Sequence, residues 1–231
     1  IDGVHEYFKV TGNAEARKII SSSSVFVKED IPVTKLKDGI SFSYTPFSKG
    51  CCYNASLLAC EILAKADKIN DTSDNRALIN NAIDLIISKQ KPEGEWAYSI
   101  NPETDYERKQ IDFHQGFILM SLFRLNGLMD PPRKDVDEVI KKGLFFYRNK
   151  QFLETGQALW RIPRKWPVDI HNQSQGIITF SKLKKYNPEY LLFAKKIAVW
   201  TIKNMQSETG YFYYRKNPIF VNKISYIRWA Q

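Results

Sequence analysis

The sequence has 231 residues, of which 43% are hydrophobic and 13% aromatic, enough for one globular domain with a substantial core. Lys or Arg interrupts every apolar run before it reaches the ~20 residues of a membrane-spanning helix, so we expect no membrane span. The formal charge of +9 favours a polyanionic substrate or partner. Because the basic residues are spread along the chain instead of forming a recognisable module, we expect no nucleic-acid partner.

The ends and the cysteines give weaker indications. The chain begins without Met, shows no secretion signal in its first ten residues, and stops inside an apparently helical segment. We therefore expect a single domain over residues 1–231 that is trimmed at both ends, and the sequence does not determine its oligomeric state.

Cys51 and Cys52 are neighbours, and Cys60 lies about 12 Å further along one helix, so we expect reduced structural thiols. Reduced thiols favour a cytoplasmic location.

Four copies of one short pattern divide the chain. Each copy is a glycine followed by an aromatic-rich, extended stretch, and the four glycines are 55, 62 and 54 residues apart. Amphipathic outer helices are predicted before these turns, and less charged inner helices are predicted after them. The glycines are Gly39, Gly94, Gly156 and Gly210; the outer helices are Ala14–Val27, Arg76–Gln90, Val136–Asn149 and Tyr190–Met205; the inner helices are Tyr53–Ala66, Phe113–Leu125, Gln173–Leu183 and Ile224 onward.

A polar column runs through the aligned inner helices, and a small residue follows it. We expect the small residues to let neighbouring helices approach closely, and the polar side chains to form a belt near one mouth of the assembly. One hairpin cannot bury both faces of its apolar helices, so successive hairpins must stack. The pattern predicts an all-α fold, an incomplete (α/α) toroid of about four helical hairpins with short aromatic extended turns. The column is Asn54, Gln115, Gln175 and Gln231, and the small residues are Ala55, Gly116 and Gly176.

The hairpin period, the aromatic turns and the inner-helix segments that begin at Asp112 and Asp169 resemble the (α/α)-toroid superfamily. This group includes six-hairpin glycosidases, uronate lyases, sugar epimerases and terpenoid cyclase or prenyltransferase repeats. The sequence looks most like toroid proteins linked to surface-polysaccharide synthesis and like the C-terminal helical part of glucuronyl epimerases. The resemblance implies a carbohydrate-active protein, but toroids host unrelated chemistries.

Two Asp–His pairs are the candidate catalytic residues: Asp112 with His114, and Asp169 with His171. Each Asp can cap the helix that follows, where exposed backbone N–H groups favour a carboxylate. Alternatively, the two pairs meet at one mouth and act as general acid and base. A glycosidase would need two spaced carboxylates, and no spacing selects a pair from the candidates Asp105, Glu107, Asp112 and Asp169.

We expect no cofactor, because the Asp-x-Cys pattern of prenyltransferase toroids and the usual zinc spacings are missing. Zinc held by Cys51 or Cys52 with a histidine remains an alternative.

Aromatic, amide and arginine side chains on or beside the turns are the candidate substrate-binding residues. Aromatic rings stack on pyranose rings, and the planar guanidinium group pairs with a carboxylate. The candidates are Trp96, Tyr98, Gln115, Trp160, Arg161, Gln175, Tyr213, Arg215, Tyr226 and Arg228. Our leading hypothesis is lyase or epimerase chemistry on an acidic, uronate-containing glycan. The alternatives are a non-catalytic glycan-binding or assembly module, and a metal-dependent toroid similar to prenyltransferases or lanthionine cyclases.

Overall fold

The computed structural model describes residues 1–226, and this part of the chain is built from helices joined by short strands and turns. The strands are two to four residues long. The helices are α1 (Asp2–Thr11), α2 (Ala14–Glu29), α3 (Tyr53–Asn70), α4 (Arg76–Ser88), α5 (His114–Leu128), α6 (Lys134–Lys150), α7 (Ile170–Lys182) and α8 (Glu189–Met205). The strands are β1 (Val33–Leu36), β2 (Gly39–Phe42), β3 (Cys51–Cys52), β4 (Ser99–Ile100), β5 (Glu107–Arg108), β6 (Val168–Asp169), β7 (Arg215–Lys216) and β8 (Val221–Asn222).

The alternation of outer and inner helices is confirmed from α2 to α8. Helix α1 was not predicted; it ends at Thr11 and is capped by Gly12, which has a left-handed backbone and donates its N–H to the Phe8 carbonyl. The predicted start of a fourth inner helix at Ile224 is wrong, because Ile224–Tyr226 are not helical and Asn222 Oδ1 instead accepts the Ile224 N–H at 3.1 Å. The rest of that segment, with Arg228 and Gln231, lies outside the described residues.

The chain divides into two compact units that interleave along the sequence. The first unit comprises residues 1–90, 97–109 and 121–138, and the second comprises residues 91–96, 110–120 and those from 139 onward. In the first unit, α2 packs against α1 and α3, the β1–β2 hairpin packs against α4, and β3, β4 and β5 form an antiparallel sheet. In the second unit, α7 packs against α8, and β6, β7 and β8 form a second antiparallel sheet. The prediction of a single domain stays a prediction.

The four repeat glycines adopt positive φ values: +147° at Gly39, +102° at Gly94, +91° at Gly156 and +98° at Gly210. Three of them also touch the outer helix of the following hairpin. A Cβ atom at Gly39, Gly94 or Gly156 would lie 2.1, 2.4 or 2.8 Å from a backbone oxygen of α4, α6 or α8, respectively. These turns therefore need glycine for two reasons, the backbone conformation and the close approach.

Buried side chains of the inner helices hold the same turns. Gln115 Oε1 accepts the Trp96 N–H at 3.1 Å, and its Nε2 donates to the Gly94 carbonyl at 3.0 Å. Gln173 repeats this arrangement, since Oε1 accepts the Ala158 N–H at 2.6 Å and Nε2 donates to the carbonyl of the repeat glycine at 3.3 Å. The structural counterpart of Gln115 is therefore Gln173, which corrects the predicted alignment with Gln175.

The small residues after the polar column have the expected effect. A Cβ at Gly116 would lie 2.6 Å from Gln175 Cγ and 2.9 Å from Thr179 Oγ1, so α5 and α7 approach closely at this point. A Cβ at Gly176 would lie 2.4 Å from the Phe152 ring. Gly116 thus permits a helix contact, and Gly176 a contact with the Phe152 ring, that a larger residue would block.

A buried ion network stabilises the first unit. Glu61 on α3 accepts two hydrogen bonds of 2.7 Å from Arg124 on α5, and Lys65 lies 3.4 Å from the same carboxylate. Lys65 also pairs with Asp2, which attaches α1 to this network. Because Glu61 and Lys65 are both buried, each charge depends on its partners for the solvation that water would otherwise provide.

No helix in residues 1–226 combines the length and apolar character that crossing a membrane requires. The cysteines are buried free thiols, and burial raises the pKa of Cys51 and Cys52.

Replacing glycine with alanine at two of the turns distinguishes the cost of the positive φ from the cost of crowding a neighbouring helix. Gly156→Ala should destabilise the protein more than Gly210→Ala, by about 1–3 kcal/mol, because only Gly156 has a neighbouring helix in the way. Both changes carry the positive-φ cost of about 1–2 kcal/mol. Among the described residues, apart from Gly210 and its two chain neighbours, no heavy atom lies within 4 Å of the Cβ position at Gly210. Equal losses in urea-induced unfolding would contradict the packing argument.

The ion network gives a second stability prediction. Glu61→Gln should lower the free energy of unfolding by about 3–5 kcal/mol, because it leaves the partly buried Arg124 and the buried Lys65 without their carboxylate. Glu154→Gln is the matched control: Glu154 pairs with Arg148 at 2.8 Å but is largely exposed, so its loss should change little. Chemical unfolding monitored by circular dichroism measures the free energy of unfolding of each variant. Similar losses for Glu61→Gln and Glu154→Gln would refute the role of burial.

Candidate functional site

The two Asp–His pairs lie at the N-terminal ends of α5 and α7, with each histidine in the first helical turn and each aspartate just before the helix, and both pairs belong to the second unit. Asp112 Oδ1 accepts the backbone N–H of His114 at 3.1 Å, and Asp169 Oδ1 accepts that of His171 at 2.9 Å. The aspartates therefore cap their helices. The same oxygens also face the imidazole rings: Asp112 lies 2.5 Å from His114 Nδ1, and Asp169 lies 3.4 Å from His171 Nδ1. Capping and imidazole orientation are thus combined in one carboxylate.

Both carboxylates are removed from solvent, at 3% exposure for Asp112 and 2% for Asp169. Asp112 Oδ2 accepts a hydrogen bond of 3.0 Å from Gln110, and Asp169 Oδ2 accepts one of 2.7 Å from Arg215 Nε. Burial alone would raise the pKa of Asp169, but hydrogen bonds from His171 and Arg215 outweigh burial and lower it. Asp169 is therefore an ionised carboxylate at neutral pH.

Phe113 brings the two pairs together. Its ring stacks on His114 at a centroid distance of 4.2 Å and lies 5.2 Å from the His171 ring. Both imidazoles are partly exposed, whereas their aspartates are not. We call the group Asp112, Phe113, His114, Asp169, His171 and Arg215 the histidine cluster.

An aromatic and cationic group continues from Arg215. The Arg215 guanidinium carbon lies 4.3 Å from the ring centroids of both Trp160 and Tyr214, and that of Arg161 lies 5.1 Å from the Trp160 ring centroid. Tyr226 contacts Tyr214 at 5.0 Å. The predicted residues Trp160, Arg161, Arg215 and Tyr226 therefore form one connected group beside the histidine cluster.

Other predicted residues lie elsewhere. Trp96, Gln115 and Gln175 are buried, and Trp96 packs where Gly143 leaves room, so we assign them a structural role and remove them from the candidate site. Tyr98 belongs to the first unit, and Tyr213 contacts Tyr211 and Lys223. Arg228 lies outside the described residues.

Phe113 and Gln110 were missed as members of the site. Phe113 precedes His114 directly, yet an aromatic residue next to a helix start resembles ordinary core sequence. Gln110 lies two residues before Asp112 and donates to its carboxylate, whereas the corresponding donor to Asp169 is Arg215, which is distant in sequence. The repeat pattern therefore did not indicate Gln110.

Within residues 1–226, no group of three or more His, Cys, Asp or Glu side chains is arranged to hold a metal ion.

Comparisons with solved structures identify the fold. A possible member of the GH105 family from Klebsiella pneumoniae subsp. pneumoniae matches with a TM-score of 0.75 and 14% identity, over 91% of this chain and 58% of that chain. Cellobiose 2-epimerase from Bacillus thermoamylovorans matches with a TM-score of 0.75 and 12% identity, over 96% and 65% of the respective chains. An unsaturated glucuronyl hydrolase specific for heparin matches with a TM-score of 0.59 and 14% identity, over 93% and 63%.

These structural neighbours are (α/α) toroids, and the chain has the fold of an incomplete (α/α) toroid, as the sequence predicted. The chain spans less than two thirds of the length of each of the three proteins. No protein-family model matches the sequence, and no curated protein is detectably similar to it.

The charge state of Asp169 can be tested through stability. Asp169→Asn keeps an oxygen that can cap α7 but removes the charge that pairs with Arg215, so we expect a loss of about 1–3 kcal/mol at neutral pH. Because the folded-state pKa of Asp169 is lowered, its contribution is fully present above the unfolded value of about 3.9 and is lost as the pH falls through the folded value.

Unfolding at pH 7, 5 and 3.5 should therefore show a gap between the two proteins that narrows below about pH 4. A gap that stays constant down to the lowest pH would show that the carboxylate is not held ionised by its partners.

Proposed function

We propose that this chain is a carbohydrate-active enzyme, or the catalytic part of one, that acts on an acidic, uronate-containing glycan by lyase or epimerase chemistry at the histidine cluster. The observation that carries the proposal is the pairing of two imidazoles, each oriented by a buried aspartate, against one phenylalanine ring.

We infer that Nε2 of each histidine is the nitrogen that transfers protons. A carboxylate at Nδ1 fixes the ring orientation and favours the proton on that nitrogen, as second-shell carboxylates do in other sites. One neutral imidazole removes the proton from the carbon next to the uronate carboxylate, and the electron pair moves into that carboxyl group. In an epimerase, the other histidine, as imidazolium, returns a proton to the opposite face. In a lyase, the electron pair returns from the carboxyl group to form a carbon–carbon double bond, the bond to the glycosidic oxygen breaks, and the imidazolium gives its proton to that oxygen.

Arginine supplies the charge neutralisation that this chemistry needs. A proton beside a carboxylate becomes acidic only when the negative charge of that carboxylate is offset. Arg215 uses Nε for Asp169, which orients its terminal nitrogens as donors to a substrate carboxylate, and Arg161 lies on the same aromatic group. Trp160 offers a ring for stacking on a pyranose.

Two further observations support a sugar substrate handled by histidines. The structural neighbours include proteins named as a cellobiose epimerase and a glucuronyl hydrolase, although this similarity concerns the fold. Asp112 and Asp169 are buried and bonded to imidazoles, an arrangement that suits orientation better than the open carboxylate pair of a glycosidase.

Replacing both histidines tests the proposal. The double variant His114→Ala, His171→Ala should lose at least about 10²-fold in turnover of uronate-containing glycans, because each proton transfer contributes about 10²–10⁴-fold. The assay should follow unsaturated products by ultraviolet absorbance and solvent deuterium incorporation by NMR, which separates lyase from epimerase chemistry. His5→Asn, in the first unit, is the control for loss of a histidine as such.

Circular dichroism and thermal unfolding should show that the double variant folds. Full turnover in the folded variant would reject the catalytic role. Glycan binding without turnover in the unmodified protein would favour the non-catalytic binding module instead.

A further inference from the structure

A cleft of about 620 Å³ lies in the first unit and has no role in the proposed chemistry. Its floor is formed by β3 and β4, and its sides by the loops before β3 and between β4 and β5. We call it the tyrosine cleft, after its most prominent lining residues: Tyr44, Lys49, Cys52, Tyr98, Tyr106 and Arg108.

The loops that form the sides are held in place by their own hydrogen bonds. Asn101 Oδ1 accepts the N–H groups of Glu103 and Thr104 at 2.9 and 3.1 Å, and the Asn101 N–H donates to the Tyr106 carbonyl at 2.9 Å. In the other loop, Ser43 Oγ accepts the Gly50 N–H at 3.3 Å. A ligand would therefore meet largely preformed sides, which reduces the ordering cost of binding.

Two of the tyrosines are unusually exposed for aromatic residues: Tyr44 at 64% and Tyr106 at 69%. Tyr98 is half-buried behind them, and the guanidinium carbon of Arg108 lies 5.0 Å from its ring centroid. Burial raises the pKa of Tyr98 to about 12, so its hydroxyl keeps its proton at neutral pH. Exposed aromatic faces with a phenolic hydroxyl suit stacking on sugar rings and hydrogen bonding to sugar hydroxyls.

Two basic side chains line this cleft. Among the described residues that line it, Lys49 and Arg108 are the charged ones, and both are exposed. A neutral sugar has no use for two cations, whereas a carboxylate pairs with the planar guanidinium group and is attracted by the lysine.

We propose that the tyrosine cleft binds a uronate residue of an acidic glycan, with Arg108 and Lys49 contacting the carboxylate and Tyr44 and Tyr106 contacting the pyranose ring. The cleft thus holds the glycan through a unit of the fold other than the one that carries the histidine cluster. The choice of glycan as ligand rests on the proposed function, while the preference for an anionic ring rests on the cleft itself.

Binding of a glucuronate-containing tetrasaccharide, measured by isothermal titration calorimetry on the whole chain, tests this inference. Arg108→Gln should weaken binding by about tenfold or more, since hydrogen bonds to charged groups are worth at least that factor. Tyr106→Ala should weaken it as well. Lys109→Gln, which removes an exposed positive charge next to the cleft lining, is the matched control and should bind like the unmodified protein.

One further variant and two further ligands distinguish binding in the tyrosine cleft from the proposed catalysis. The double histidine variant should still bind the tetrasaccharide, and a neutral tetrasaccharide should bind weakly to every variant. Unchanged binding by the folded Arg108→Gln variant, or equal affinity for the neutral ligand, would overturn the inference even if turnover depends on the histidines. Equal affinity for a sulfated neutral sugar would likewise overturn the assignment to a carboxylate. Binding lost only in the cleft variants supports the inference even if no turnover is found.

Discussion

The structure depends on a buried amide that holds a glycine turn. Gln115 and Gln173 each use both ends of the side-chain amide, one to accept a backbone N–H and the other to donate to the carbonyl of a repeat glycine. The turn held in this way rests on the outer helix of the next hairpin, at a distance that leaves no space for a Cβ atom. A buried amide without partners would cost free energy, so these hydrogen bonds fix the turn as well as stabilise it.

In the candidate site, too, one side chain makes two kinds of contact. Asp112 and Asp169 satisfy backbone N–H groups that the first turn of any helix leaves without partners, and they also orient the imidazoles. Removing an aspartate would therefore disturb a helix start and a potential acid–base group together. Because the start of a helix is a rigid position, it holds the histidines in a defined geometry.

Charge is distributed differently in the two candidate regions. In the histidine cluster, Arg215 is bound to Asp169 and stacks on aromatic rings, so its charge is partly compensated and its plane is fixed. In the tyrosine cleft, Arg108 and Lys49 are exposed charges beside exposed rings. An arginine whose plane is fixed suits a role close to the reacting atoms, whereas exposed cations suit capture of an anionic chain. The net positive charge of the sequence is consistent with both.

The sequence alone determined the repeat, its four turn glycines and the helix order from α2 to α8, because hydrophobic period and turn chemistry are local properties. It also identified the Asp–His pairs, since the chain has three histidines and two of them follow an aspartate at the same spacing. Only the tertiary structure decided that Gln173, not Gln175, matches Gln115, because the hydrogen bonds that define the register join distant segments. It also decided that Trp96 is buried and that Tyr98 and Arg108 share a cleft. Exposure and convergence depend on how segments pack, which no local pattern encodes.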